Sequence, residues 1–136
     1  MKIQGTLKSG LGEGAYFISL KHYNNEINKK LGFNPFKGTL NVHVEEKKLK
    51  DFLENIERSK IMLIEGFEDN GKKFGSVRCI KAKIKDAEGA IIIPDINKHK
   101  DIIEFISCYN LREKLKLKED DVVDIEIIED FEKFAQ

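Results

Sequence analysis

Residues 60–84, KIMLIEGFEDNGKKFGSVRCIKAKI, decide the fold class. Two β-rich runs, Lys60 to Phe67 and Phe74 to Ile84, flank Glu68-Asp69-Asn70-Gly71, and an Asn-Gly pair between such runs is a strong hairpin signal. Working outward, Glu45 to Ile56 places Leu49, Phe52, Leu53 and Ile56 on one face among Lys and Glu, the pattern of an amphipathic surface helix. Before it, LGFNPFKGTLNV (Leu31 to Val42) reads as an ordered loop feeding a strand through Leu40, Val42 and Val44. His22 to Leu31 carries Tyr23, Ile27 and Leu31 at helical spacing, with Gly32 as its stop. At the N-terminal end, residues 2–8 alternate as a first strand, the glycine-rich stretch from Gly10 follows, and Ala15 to Leu20 resumes a strand. Beyond the hairpin, Gly89 to Pro94 and Ile102 to Ser107 are short apolar runs separated by a polar loop. One or two helical turns at Leu111–Leu115 precede an alternating strand, Val122 to Ile128. Six or seven strands with two or three short helices, and no regular strand-helix-strand alternation, predict a compact, mainly β barrel. The expectation is one domain over 1–136, with 129–136 a frayed tail.

Composition narrows the function. Twenty-four Lys and Arg offset twenty-four Asp and Glu, so nothing favours a polyanion partner. No apolar run approaches the length that spans a bilayer and no leader precedes the first strand, so a soluble, cytoplasmic protein is expected. Cys79 and Cys108 stand alone among apolar residues and read as buried, inert thiols in a reducing compartment. His22, His43 and His99 lack ligand spacing, and no nucleophile elbow is present.

Four features carry chemistry, each with a plain alternative. GLGEG (Gly10 to Gly14) offers backbone N–H groups to a phosphate, or is an ordinary turn; it lacks the Lys-Ser/Thr of a Walker loop. In Gly38-Thr39-Leu40-Asn41, residues two apart on a strand project from one face, so Thr39 and Asn41 are either two neutral oxygen ligands for a Mg²⁺ that already carries phosphate oxygens, or a polar stripe. Glu104 inside IIEFIS is either a buried acceptor awaiting a ligand donor or the water-facing member of an alternating strand. Arg112 either forks onto a phosphate or base, or makes a surface ion pair.

GLGEGAYFISL (10–20), LGFNPFKGTLNV (31–42), GAIIIP (89–94), IIEFIS (102–107) and NLREKLKL (110–117) followed by EDDVVDIEI (119–127) occur in the order and spacing of the CTP-dependent riboflavin kinases of archaea. The chain resembles that family over nearly its whole length. The resemblance implies a six-stranded cradle-loop (RIFT-like) β-barrel with a few short helices, and transfer of the γ-phosphate of CTP to riboflavin, giving FMN and CDP. It places the nucleotide on Gly10, Leu11, Gly12, Glu13, Gly14 and Ala15 and on Tyr109, Asn110, Leu111 and Arg112. Mg²⁺ falls to Thr39 and Asn41, and the flavin to Glu104.

Three stretches depart from the family pattern. The loop after GAIIIP reads Asp95-Ile96-Asn97-Lys98, one residue short and without the family's Thr, so Asn97 is the substitute flavin contact. Ser107-Cys108 stands for Ala-Pro, and Glu119-Asp120-Asp121 for Asp-Gly-Asp. No residue is assigned as general base. The partners implied are riboflavin/FMN and CTP/CDP, with no nucleic acid, no membrane and a monomeric chain. The rival readings are a non-catalytic barrel of the same superfamily, either a DNA-binding regulator or a flavin-binding module.

Overall fold

A computed structural model describes residues 1–9, 18–95 and 100–129. Its strands are β1 (Lys2–Lys8), β2 (Leu40–His43), β3 (Ile61–Ile64), β4 (Phe67–Asp69), β5 (Lys72–Phe74), β6 (Val77–Ile84), β7 (Ala87–Pro94), β8 (Ile102–Ser107) and β9 (Val122–Ile127). Among the described residues, helices α1 (Lys21–Leu31), α2 (Glu46–Glu54) and α3 (Leu111–Lys114) and a single 3-10 turn (Arg58–Lys60) accompany them. The ladder runs β6-β7-β8-β2-β1-β9, every pairing antiparallel, and β9 returns to β6 through Ala82↔Ile127, Lys83↔Glu126 and Ile84↔Ile125. Six strands therefore close into a barrel, which leaves no open edge within the ring. The first half of β6 pairs with β3 instead, so β3 lies outside the ring.

Alternation explains what fills the barrel. Ile3 and Leu7 of β1, Leu40 and Val42 of β2, Ile103 and Phe105 of β8, and Val123, Ile125 and Ile127 of β9 project into one buried cluster. Helix α2 covers part of it with Leu49 and Phe52. Gly89 is the residue type its site demands. A Cβ there would stand 2.0 Å from the Ile106 carbonyl oxygen and 2.8 Å from the Phe105 ring.

A second apolar layer covers the outside of β6, β7 and β8. Tyr23, Ile27 and Leu31 of α1 pack on Ile64, Val77, Cys79, Ala90, Ile92 and Ile106. The Tyr23 hydroxyl donates to the Gly75 carbonyl at 2.5 Å. Strands β7 and β8 thus have both faces covered over most of their length, which is why apolar residues fill nearly every position of Gly89–Pro94 and Ile102–Ile106, Glu104 being the exception.

The hairpin of residues 60–84 forms in two stages. β3 and β6 pair through Ile61↔Ile80 to Ile64↔Val77, and β4 and β5 continue the excursion to a turn at Asn70 (φ 52°) and Gly71 (φ 79°). The strand expected over Ala15–Leu20 is corrected where it is described: Ile18 and Ser19 are helical, because burial of Ile18 beside Tyr23 and Ile27 outweighs the β preference of the local sequence. Cys79 is buried, and burial pushes its thiol up to about 12. Cys108 is exposed, contrary to expectation, because it follows the end of β8 rather than continuing it. No helix among the described residues is long and apolar enough to cross a membrane. The expected frayed tail, apart from Glu129, lies outside the described residues.

Candidate active site

Leu40 and Val42 face the barrel interior, so Asn41 between them faces outward. The register sets Asn41 opposite Glu104 on β8, and Glu104 opposite Ile92 on β7. Directly opposed residues of an antiparallel pair share a face, so the Asn41 amide and the Glu104 carboxylate are neighbours on the outer wall. Both are buried, at 7% and 8% exposure, which removes the water-facing alternative for Glu104. Thr39, just before β2, donates its hydroxyl to Asn41 Oδ1 at 3.5 Å. The two oxygens expected to act together do face each other.

Beside Thr39 opens a cleft of about 110 Å³, walled by Phe36, Gly38, Thr39, Tyr109, Asn110 and Arg112. Two rings line it while remaining 42% (Phe36) and 45% (Tyr109) exposed, an apolar surface available to a planar ligand. The Lys114 ammonium lies 4.2 Å from the centre of the Tyr109 ring. Asn110 caps α3, accepting the Glu113 N–H at 3.4 Å. The Leu111 side chain belongs to the barrel core, so its own role is packing.

Ser107, where the sequence departs from the family pattern, is built into the site's floor. Its hydroxyl donates to the Glu88 carbonyl at 2.7 Å and accepts the Tyr109 N–H at 3.4 Å, while its carbonyl accepts the Phe36 N–H at 2.8 Å. One buried residue thereby positions both aromatic walls. Arg112 satisfies its ion-pair alternative with Glu119 at 3.5 Å, and it also donates to the Ser9 hydroxyl at 2.8 Å.

Thr39, Asn41 and Glu104 are therefore brought together on the outer wall, and Tyr109, Asn110, Leu111 and Arg112 reach the same cleft as Thr39. Gly10 to Ala15 and Asn97 lie outside the described residues. The sequence reading missed Phe36, Ser107, Ser9 and Glu119. Phe36 carried a signal, an aromatic beside Pro35 and two residues before Gly38-Thr39; Ser9 and Glu119 carried none, being 110 residues apart.

A closed barrel thus carries paired neutral oxygens beside a buried carboxylate on its outer wall, with an aromatic cleft that includes Arg112 next to Thr39. Residues 7–127 match the family model named CTP-dep_RFKase and described as "Domain of unknown function DUF120". The chain is 40% identical over 129 residues to a riboflavin kinase of Archaeoglobus fulgidus, covering 94% of this chain and 55% of that protein. It is 40% identical over 131 residues to a riboflavin kinase of Pyrobaculum aerophilum (94% and 61%), and 39% identical over 131 residues to one of Ignicoccus hospitalis (92% and 70%). The chain belongs to the CTP-dependent riboflavin kinase family. It spans little more than half the length of the first two of these relatives.

Proposed function

We propose that this chain, as one unit over residues 1–136, is a CTP-dependent riboflavin kinase that transfers the γ-phosphate of CTP to the 5′-hydroxyl of riboflavin, giving FMN and CDP. The observation that carries the reading is the position of Thr39, which touches the arginine-lined cleft on one side and the Asn41–Glu104 pair on the other. A donor nucleotide in the cleft and a flavin held at Glu104 meet there.

The reaction asks mainly for positioning and charge compensation. The ribityl oxygen attacks the γ-phosphorus, the bond from that phosphorus to the β-γ bridging oxygen breaks, CDP departs with the electron pair, and the hydroxyl proton passes to solvent. In this scheme Arg112 holds phosphate oxygens. Tyr109 and Phe36 provide faces for the base. The Glu104 carboxylate accepts a hydrogen bond from the flavin. Gly10 to Ala15 would add backbone N–H groups around the phosphates, and Asn97 a second flavin contact.

The donor set fits Mg²⁺. Thr39 Oγ1 and Asn41 Oδ1 lie 3.5 Å apart, two oxygens on one side of the strand that would hold one ion together. Both are neutral oxygens, suited to an ion whose remaining positions are filled by phosphate oxygens and water. A Mg²⁺ held there would offset the charge gathering on the transferring phosphoryl group.

Purified protein incubated with riboflavin, Mg²⁺ and either CTP, ATP or GTP, scored for FMN by chromatography, tests the proposal. FMN formed mainly with CTP supports it. FMN formed mainly with ATP removes the nucleotide assignment, and a folded sample that makes no FMN with any donor removes the kinase.

A further inference from the structure

The end of β1 is latched twice to the turn before β9. Its main chain does the structural part: the Leu7 N–H donates to the Asp121 carbonyl at 2.8 Å, and the Asp120 N–H donates to the Leu7 carbonyl at 2.9 Å. The Asp121 carboxylate closes the turn on itself by accepting the Lys118 N–H at 2.7 Å, and Lys8 pairs with Asp120. None of these contacts uses the Glu119 side chain.

Glu119 reaches elsewhere. Its Oε1 accepts the Ser9 hydroxyl at 2.6 Å, its Oε2 accepts the Ser9 N–H at 3.3 Å, and Oε1 lies 3.5 Å from Arg112 Nη2. The Ser9 hydroxyl in turn accepts from Arg112 Nη2 at 2.8 Å. The three side chains form a closed triangle spanning 110 residues of sequence. The Ser9 hydroxyl bond, followed by the Ser9 N–H and then Arg112, holds the Glu119 carboxyl below its ordinary value.

Ser9 is the last residue before the glycine run Gly10-Leu11-Gly12-Glu13-Gly14, and Arg112 walls the cleft. Both contacts to the arginine engage one terminal nitrogen, Nη2, so neither Ser9 nor Glu119 occupies Nε or Nη1. Resting on the CTP reading above, we infer that Glu119 is a positioning residue for the nucleotide: directly and through Ser9, it sets the orientation of Arg112 at the cleft. It touches no reacting atom and acts through Ser9 and Arg112.

The test compares Glu119→Gln, Glu119→Asp, Ser9→Ala and the Glu119→Gln/Ser9→Ala double variant with the unaltered chain. Calorimetry gives Kd for CDP, fluorescence quenching gives Kd for riboflavin, and steady-state assays give KM for CTP and kcat. Glu119→Gln is expected to weaken CDP binding and raise KM for CTP by about fivefold or more, since charge-assisted contacts to Ser9 and Arg112 are lost together. Riboflavin affinity and Tm should hold, because the main-chain latch is untouched. Glu119→Asp should recover part of the loss, and the double variant should be no worse than the poorer single one, as expected of groups acting as one unit. An unaltered chain that binds CDP while Glu119→Gln binds it equally well overturns the inference alone. So does a loss accompanied by equal weakening for riboflavin and a lowered Tm, which marks a folding role. An unaltered chain that binds no CDP overturns the nucleotide reading and this inference with it.

Discussion

Replacing Glu104 by Gln keeps the side chain's volume and removes its charge, so it isolates what the carboxylate contributes to flavin binding. Glu104 is 8% exposed, between Asn41 and Ile92 on the outer wall, where water has little access to replace a lost partner. A hydrogen bond to a charged group in such a place contributes about 1.5–3 kcal/mol. By the usual tenfold per 1.4 kcal/mol, Glu104→Gln should raise Kd for riboflavin roughly 10- to 150-fold. Any part the carboxylate plays in folding is read separately, as a change in Tm without ligand. The assay is quenching of riboflavin fluorescence, with Tm measured on the same samples and Glu46→Gln, on the exposed surface of α2, as the control. Riboflavin affinity within about twofold of the unaltered chain would refute the flavin role of Glu104, because a buried charge-assisted bond cannot be lost so cheaply.

Three other outcomes are expected. Thr39→Ala combined with Asn41→Ala should lower the apparent Mg²⁺ affinity in the FMN assay at least about tenfold, since both protein oxygens are lost, while riboflavin quenching persists. Gly89→Ala forces a methyl against the Ile106 carbonyl oxygen at 2.0 Å and should destabilise by about 1–3 kcal/mol, read by thermal melting as a fall of roughly 4–12 °C for a chain of this size. A thiol reagent at pH 8 should label one cysteine per native chain: Cys108 is exposed, whereas the Cys79 thiol is buried and pushed up to about 12, so the second should react only after denaturation.

What the sequence made legible was local. Asn70-Gly71 announced its turn because both residues hold positive φ there, and Tyr23, Ile27 and Leu31 announced α1 because one helical face meets one apolar layer. Thr39 and Asn41 were a candidate pair because strand alternation puts residues two apart on one side. The pattern of elements pointed to a barrel, but not to the pair that closes it: β9 meets β6 some 40 residues away in sequence, and such a pairing depends on the twist and shear of the whole sheet. The state of Glu104 was equally hidden, since β8 is buried on both faces and its apolar residues do not alternate with polar ones to show which way Glu104 points. Arg112 was left between ligand and ion pair; its partners Ser9 and Glu119 come together only when β1 docks against the 118–121 turn. Ile18 was misread for a related reason, its place being decided by α1 and not by its neighbours.

The central claim is that nucleotide and flavin meet at Thr39. A crystal structure of the protein with CDP, FMN and Mg²⁺ tests it most directly. The account predicts the CDP phosphates in the cleft beside Arg112, the flavin against Glu104, and the FMN phosphate between them, with the metal between Thr39 and Asn41. A flavin bound away from the Asn41–Glu104 wall, or a CDP that leaves the Phe36–Tyr109–Arg112 cleft empty, would contradict it.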